Sequence, residues 1–396
     1  MNIFRSLFLL RAHKILPTTL SPEESVLLEL SNNAMAAKKT HAVVQKNARL
    51  INWQRLLSLI RQNQLQVVCR DSFEAPAFQS LAPQEFTDQI IEDQMTIQLL
   101  ATKKRRETGK IIRSFTKAGI QFIMMKTLPY ERILFRSPVK VPGDLDILLP
   151  VSEFYQAAKI LMDTGYRLSI NHREVDLLTL PLEPTYIPKG EEIFKKDSFT
   201  VELHTTLLDT LNFSSQRLND RGNRAITNAL YSQKQTVRYE GTLCYAFTPT
   251  ALFLSLFFHC FYQHNYQSVI RYIEAAMVLR VFSRSIRWNY MWSFVTQYQC
   301  SNNFLWFLVL LEDIAPQSLP QHERATIRRM QQQWAGFQLL TYYIVKRLLF
   351  YPGDIPPTHS QKKFTWIMIN KQLLSALFLK LCFPFQWLRI KTLKMI

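Results

Sequence analysis

The amino-acid sequence predicts an α+β fold, with a small mixed β-sheet core flanked by N-terminal and C-terminal helical segments. Three observations carry this. Short apolar runs at 120–125 and 144–149, bounded by Gly119, Gly143 and Pro150, have the length and punctuation of buried strands. The stretch 199–204, Phe-Thr-Val-Glu-Leu-His, alternates polar and apolar residues as a strand with one covered face does. On either side, apolar residues recur at helical spacing.

Taken in order, Ser21-Pro-Glu-Glu opens the first helix. Serine can cap free N–H groups, proline fits the first helical position, and Glu23 and Glu24 complement the helix dipole. Val26, Leu27 and Leu30 follow at helical spacing. Trp53, Leu56, Leu57 and Ile60 repeat the pattern until Gln62-Asn63-Gln64 interrupts it. A long helical pattern covers 83–118. Its basic cluster at 103–106 fits a solvated helix face better than a phosphate-binding patch. Gly119 ends that helix. After the first strand, 127–136 reads as a helix, and Pro138, Pro142 and Gly143 mark a loop before the second strand. Ser152 is the expected cap of a helix running to Thr164, closed by Gly165. The pattern is then β-like to 208, clearest at 176–182 and 199–204. Helices return after Leu207, at 251–262, 269–282, 286–298, 302–313 and 322–350.

The resulting organisation is a helical region at 1–110, a core at 111–210, a helical domain at 211–354 and a basic, aromatic-rich tail at 355–396. The tail has no acidic residue, and Trp366, Phe378, Phe383, Phe385 and Trp387 interleave its lysines and arginines. Packing against the body and contact with an anionic membrane surface or nucleic acid are both open to it.

Composition narrows the function classes. The 396 residues are 47% apolar and 12% aromatic, enough for a large core and against wholesale disorder. A net charge of +18 favours an anionic partner. Five scattered cysteines without a CxxC pair argue against a zinc site or disulfide framework and suit a reducing compartment. No apolar run has the roughly 20 uninterrupted residues of a spanning helix, and a cytoplasmic location is expected.

The chemistry concentrates in Lys-Val-Pro-Gly-Asp-Leu-Asp-Ile-Leu-Leu, residues 140–149. Residues two apart on a strand share a face, so Asp144 and Asp146 project together while Leu145 and Ile147 face the core. The same spacing pairs Glu202 with His204. Neighbouring carboxylates about 4 Å apart repel by roughly 1–4 kcal/mol, depending on the local dielectric. Bound Mg²⁺ relieves this, and two such ions against three carboxylates leave positive charge for a polyphosphate. Lys126 and Lys140 stand beside the strands as further cations. His204 fits a structural strand histidine as well as a ligand, and His259 fits an apolar helix core. Glu191-Glu192 falls in a loop rich in glycine and proline and is expected to be solvated.

These segments resemble the nucleotidyltransferases of the NTP_transf_5 type, within the DNA polymerase β-like superfamily. Phe-Ile-Met-Met-Lys-Thr is similar to a strand ending in Leu-Lys-Gly, and 140–149 is similar to an Arg-x-x-Gly-Asp-x-Asp segment. Ala-Ala-Lys-Ile-Leu-Met-Asp-Thr-Gly-Tyr, His172 and Val-Glu-Leu-His-Thr resemble the stretches that follow. Looser likeness reaches from about residue 25 to 280, including His259 and Glu274. The resemblance implies a Mg²⁺-dependent transfer of a nucleoside monophosphate from an NTP to an unknown acceptor, which could be a small molecule, a protein or an RNA. It implies Asp144, Asp146 and Glu202 as metal ligands and catalytic acids, and Lys126, Thr127, Lys140 and Gly143 around the nucleotide. Three positions depart from the pattern: Thr127 replaces glycine, Lys140 replaces arginine, and Glu202 replaces aspartate. The alternative these departures leave is an inactive descendant that binds nucleotide, RNA or a membrane surface.

Overall fold

Among the described residues, an eight-stranded mixed sheet separates two apolar cores. The computed structural model of the protein describes residues 20–36, 42–135, 143–170, 173–175, 190–207, 220–260 and 269–332. The strands are β1 (Ile123–Met124), β2 (Leu145–Leu148), β3 (Arg167–Ile170), β4 (Arg173–Val175), β5 (Glu191–Lys196), β6 (Phe199–His204), β7 (Lys234–Tyr239) and β8 (Thr242–Phe247). Their order across the sheet is β4-β3-β5-β6-β2-β1-β8-β7. β2 runs parallel to β6, and β1 runs parallel to β8; the other neighbours are antiparallel. The α+β expectation holds.

Alternation along the strands sorts residues between the cores. Met124, Leu145, Ile147, Val201 and Leu203 join a cluster with Ile112, Phe115, Phe154 and Leu161. Those last four come from the long helix Gln84–Lys117 and the helix Val151–Asp163. On the opposite face, Ile123, Leu148 and Ala246 join a larger cluster built by the flanking helices. Upstream these are Pro22–Ala36, Ala42–Asn47 and Trp53–Gln62. Downstream they are α1 (Pro249–Phe258), α2 (Val269–Val281), α3 (Trp288–Gln297), α4 (Ser301–Ile314) and Gln321–Gln332. The centre of the downstream bundle is aromatic. Phe307 on α4 lies 5.7 Å from Phe253, 5.6 Å from Phe257 and 5.4 Å from Tyr272, centroid to centroid.

Several helix signals act as expected. Ser21 and Glu24 exchange hydrogen bonds, Ser21 N–H to the carboxylate and Glu24 N–H to the hydroxyl, which closes a capping box. Gly119 and Gly165 take left-handed φ of +75° and +90° just past their helices. Other expectations are corrected. The 120–125 strand shortens to two residues, and the described part of the expected 127–136 helix, which ends at Phe135, forms only single turns at Leu128–Tyr130 and Glu131–Leu134. The stretch after Leu207 is not all helix: β7 and β8 form a hairpin there. Its two-residue turn, Glu240-Gly241, has φ of +44° and +83°, the sign required at both central positions of a hairpin turn of the I′ type. The expected strand at 176–182, the end of the 322–350 helix and the 355–396 tail lie outside the described residues.

Candidate functional site

The parallel pairing of β2 with β6 builds the site. Its register sets Asp146 opposite Glu202 and Leu148 opposite His204. Asp146, Glu202 and His204 therefore emerge on one face, while Leu145, Ile147, Val201 and Leu203 enter the core on the other. Strands fifty residues apart in sequence converge because each presents an apolar face to the same core.

The three side chains offer ligand atoms that lie within 4.8 Å of one another. His204 Nε2 is 3.4 Å from Asp146 Oδ1 and 3.5 Å from Glu202 Oε2. Its Nδ1 is 3.7 Å from Glu191 Oε2, across the β5–β6 pairing that sets Glu191 beside His204. These are ion-pair separations, and among the described residues neither buried ring nitrogen has a hydrogen-bond partner. The Lys126 ammonium lies 2.5 Å from Asp146 Oδ1. Lys126 itself sits just past β1 with φ of +56°, in the left-handed region. Asp146 and His204 are buried, and Glu202 is half-buried.

The electrostatics follow from that crowding. Burial alone would raise Asp146, but the Lys126 and His204 charges hold its carboxyl well below the usual range. Burial pushes Glu202 up, and the charge on Asp146 adds to the rise. Burial works against a charged imidazole, yet contact with Asp146 and Glu202 overcomes it and lifts His204 to about 9. Cations and protons thus neutralise the cluster. Two carboxylate oxygens and an imidazole nitrogen without a hydrogen bond form a donor set that suits a divalent metal ion.

The other expected site residues are placed as follows. Asp144 is exposed, one residue before β2, and is not one of the three clustered side chains. Gly143 is also exposed, and a Cβ built there meets nothing within 4 Å. Thr127 is buried, and its hydroxyl donates to Glu274 Oε1 at 2.6 Å. Lys140 and His172 lie outside the described residues. Glu191 is the residue that sequence reasoning passed over. Glu191–Lys196 is a strand, not a solvated loop, and a two-residue turn at Asp197-Ser198 joins it to β6. The signal was available: Asp197 in a two-residue gap between apolar-containing runs is hairpin chemistry, and its φ is +51°.

A cavity of about 830 Å³ is lined by other residues, among them Leu28, Asn32, Arg280, Trp288 and Leu319. Among the described residues no helix is long and apolar enough to cross a membrane. No curated protein and no solved structure matches the chain. A family profile does match, over residues 49–316, and its description is "uncharacterised nucleotidyltransferase".

Proposed function

Because the chain belongs to this nucleotidyltransferase family over residues 49–316, we propose that it moves a nucleoside monophosphate from an NTP to an acceptor hydroxyl with Mg²⁺ at the β2–β6 face, breaking the α–β phosphoanhydride bond and releasing pyrophosphate and the hydroxyl proton. The observation that carries this is the register of Asp146 with Glu202, with His204 beside them and Lys126 on Asp146.

Asp146, Glu202 and His204 would hold the metal, with exposed Asp144 completing the set for a second ion. When bound, Mg²⁺ supplies charge neutralisation on the phosphates and a lowered pKa on the attacking hydroxyl. The protein's own groups then have defined tasks. Lys126 neutralises Asp146 in the metal-free state. Released from that pair, its ammonium becomes a point charge for phosphate oxygens. Glu202 and His204 would hold the metal only with their protons lost to solvent, since only the deprotonated groups coordinate. Glu191 faces the second ring nitrogen and favours the orientation that turns Nε2 toward Asp146.

The test is transfer of label from an α-labelled NTP, with each of the four NTPs, in a host lysate that supplies the acceptor. Mg²⁺ with the correct NTP should also raise the melting temperature, because a ligand of the folded state stabilises it by mass action. No transfer and no shift at millimolar NTP would remove the proposal.

A pH dependence follows from the raised Glu202 and His204. Each binds its proton more tightly folded than unfolded. Their contribution is complete below the ordinary carboxylate value for Glu202 and below about 6.5 for His204. It is lost as pH rises, for His204 through about 9. Metal-free melting temperature is therefore expected to fall between pH 6 and 9. The increment given by Mg²⁺ or Mn²⁺ should grow over the same interval, as protons cease to compete. A melting series at fixed ionic strength, with and without metal, measures both trends.

A further inference from the structure

Glu274 is a fully buried carboxylate in α2, a helix remote in sequence from the strands of the site. An apolar residue would fill that place without the cost of desolvating a charge. Its Oε1 accepts a 2.6 Å hydrogen bond from Thr127 Oγ1, and its Oε2 lies 3.5 Å from Arg271 Nη1. A bond this short between hydroxyl and carboxylate has the length of a charge-assisted one.

Thr127 directly follows Lys126, whose left-handed backbone is strained for a residue with a Cβ. Such a conformation persists only where both sides of it are fixed. On one side, Met125 N–H donates to the Asp146 carbonyl at 3.0 Å. On the other, Thr127 opens the turn that Tyr130 N–H closes on the Thr127 carbonyl at 2.9 Å. Tyr130 in turn donates its hydroxyl to the Phe247 carbonyl. The Thr127 side chain adds a fixed point from the helical bundle.

We propose that Glu274 is a positioning residue for Lys126: by holding the Thr127 hydroxyl it fixes the left-handed corner that brings the Lys126 ammonium onto Asp146, and so toward phosphate. The role in phosphate binding rests on the nucleotidyltransferase reading, whereas the placement of Lys126 does not. The threonine that stands where the family pattern has glycine then has a physical purpose. It exchanges backbone freedom for a tether to α2.

The experiment reads Lys126 itself. The full chain is pulse-labelled with acetic anhydride, and acetylation at each lysine is followed by mass spectrometry in the parent, Thr127→Val, Thr127→Ser and Glu274→Ala. Valine keeps the shape of threonine but removes the donor; serine keeps the donor. Lys126 acetylation is expected to rise about tenfold, corresponding to loss of its ion pair with Asp146, in Thr127→Val and Glu274→Ala. It should stay at the parent rate in Thr127→Ser. Lys104 and Lys196, buried or paired elsewhere, should not change and so report an intact fold. If Glu274→Ala unfolds, which the control lysines would reveal, Thr127→Val decides alone. Unchanged Lys126 reactivity in a folded Thr127→Val overturns the proposal. Added Mg²⁺ and NTP separate the two readings. Protection of Lys126 by NTP belongs to the transferase reading, and its failure would leave the placement of Lys126 to be judged by the metal-free rates.

Discussion

Asp146→Asn is expected to lower metal-dependent label transfer by about 10³-fold, equivalent to about 4 kcal/mol of transition-state stabilisation. The substitution keeps the side-chain shape and removes the charge that faces both Lys126 and His204. Without that charge, the proposed metal site would lose its most buried oxygen ligand, and the Lys126 ammonium its partner. The melting increment given by Mg²⁺ should vanish with the activity. The metal-free fold should survive, because the backbone pairing of Asp146 with Glu202 does not depend on the carboxylate. Parental transfer rates from Asp146→Asn would remove the site from the reaction. Asp144→Asn adds a separate test. A comparable loss supports a second ion bound through the exposed aspartate. Full activity would leave Asp146, Glu202 and His204 as the whole ligand set.

For stability, the largest single effect is expected at Phe307. Its ring is fully buried among Phe253, Phe257 and Tyr272, the last nearly parallel to it at an interplanar angle of 30°. Phe307→Ala removes that contact surface and leaves a void that the surrounding helices fill only in part. The cost is about 3–5 kcal/mol, against about 1.5 kcal/mol or less for Phe307→Leu. Urea unfolding followed by far-UV circular dichroism would show both as lowered midpoints. Tyr272 lies two residues from Glu274 on α2, so the alanine variant should also loosen the tether to Thr127. A loss under about 1 kcal/mol for Phe307→Ala would mean that the bundle is not packed as described.

Much of the site was legible because its strands carry strong local signals. The apolar runs around Asp146 and Glu202 announce buried strands, and a two-residue period puts Glu202 and His204 on one face. Glycine marked helix ends at Gly119 and Gly165 for a steric reason that operates wherever φ is positive. What escaped was non-local. The Asp197-Ser198 turn announces that β5 pairs with β6, but nothing in Glu191-Glu192 announces that the register will carry Glu191 to His204. Nothing in Thr127 announces a bond to a residue nearly 150 positions later. The β7–β8 hairpin was missed for a different reason. Glu240-Gly241 is a recognisable turn, and Val237 and Tyr239, like Leu243 and Tyr245, stand two apart as strand residues on one face do, a local signal hidden between the long helical stretches on either side. Asp144 shows the limit of periodicity. Spacing gives it the same face as Asp146, yet β2 begins one residue after it and leaves it exposed.

The parallel union of Ile123 with Tyr245 has a consequence for biosynthesis. A nascent chain emerging at about 5–20 residues per second leaves β1 without one neighbour until the ribosome has added more than a hundred further residues, a wait on the order of ten seconds. During that interval an apolar strand edge is open to wrong partners, and slow, high-contact-order assembly prolongs the exposure. Chaperone dependence during translation, greatest for chains truncated before residue 242, is the expected cellular mark of this topology.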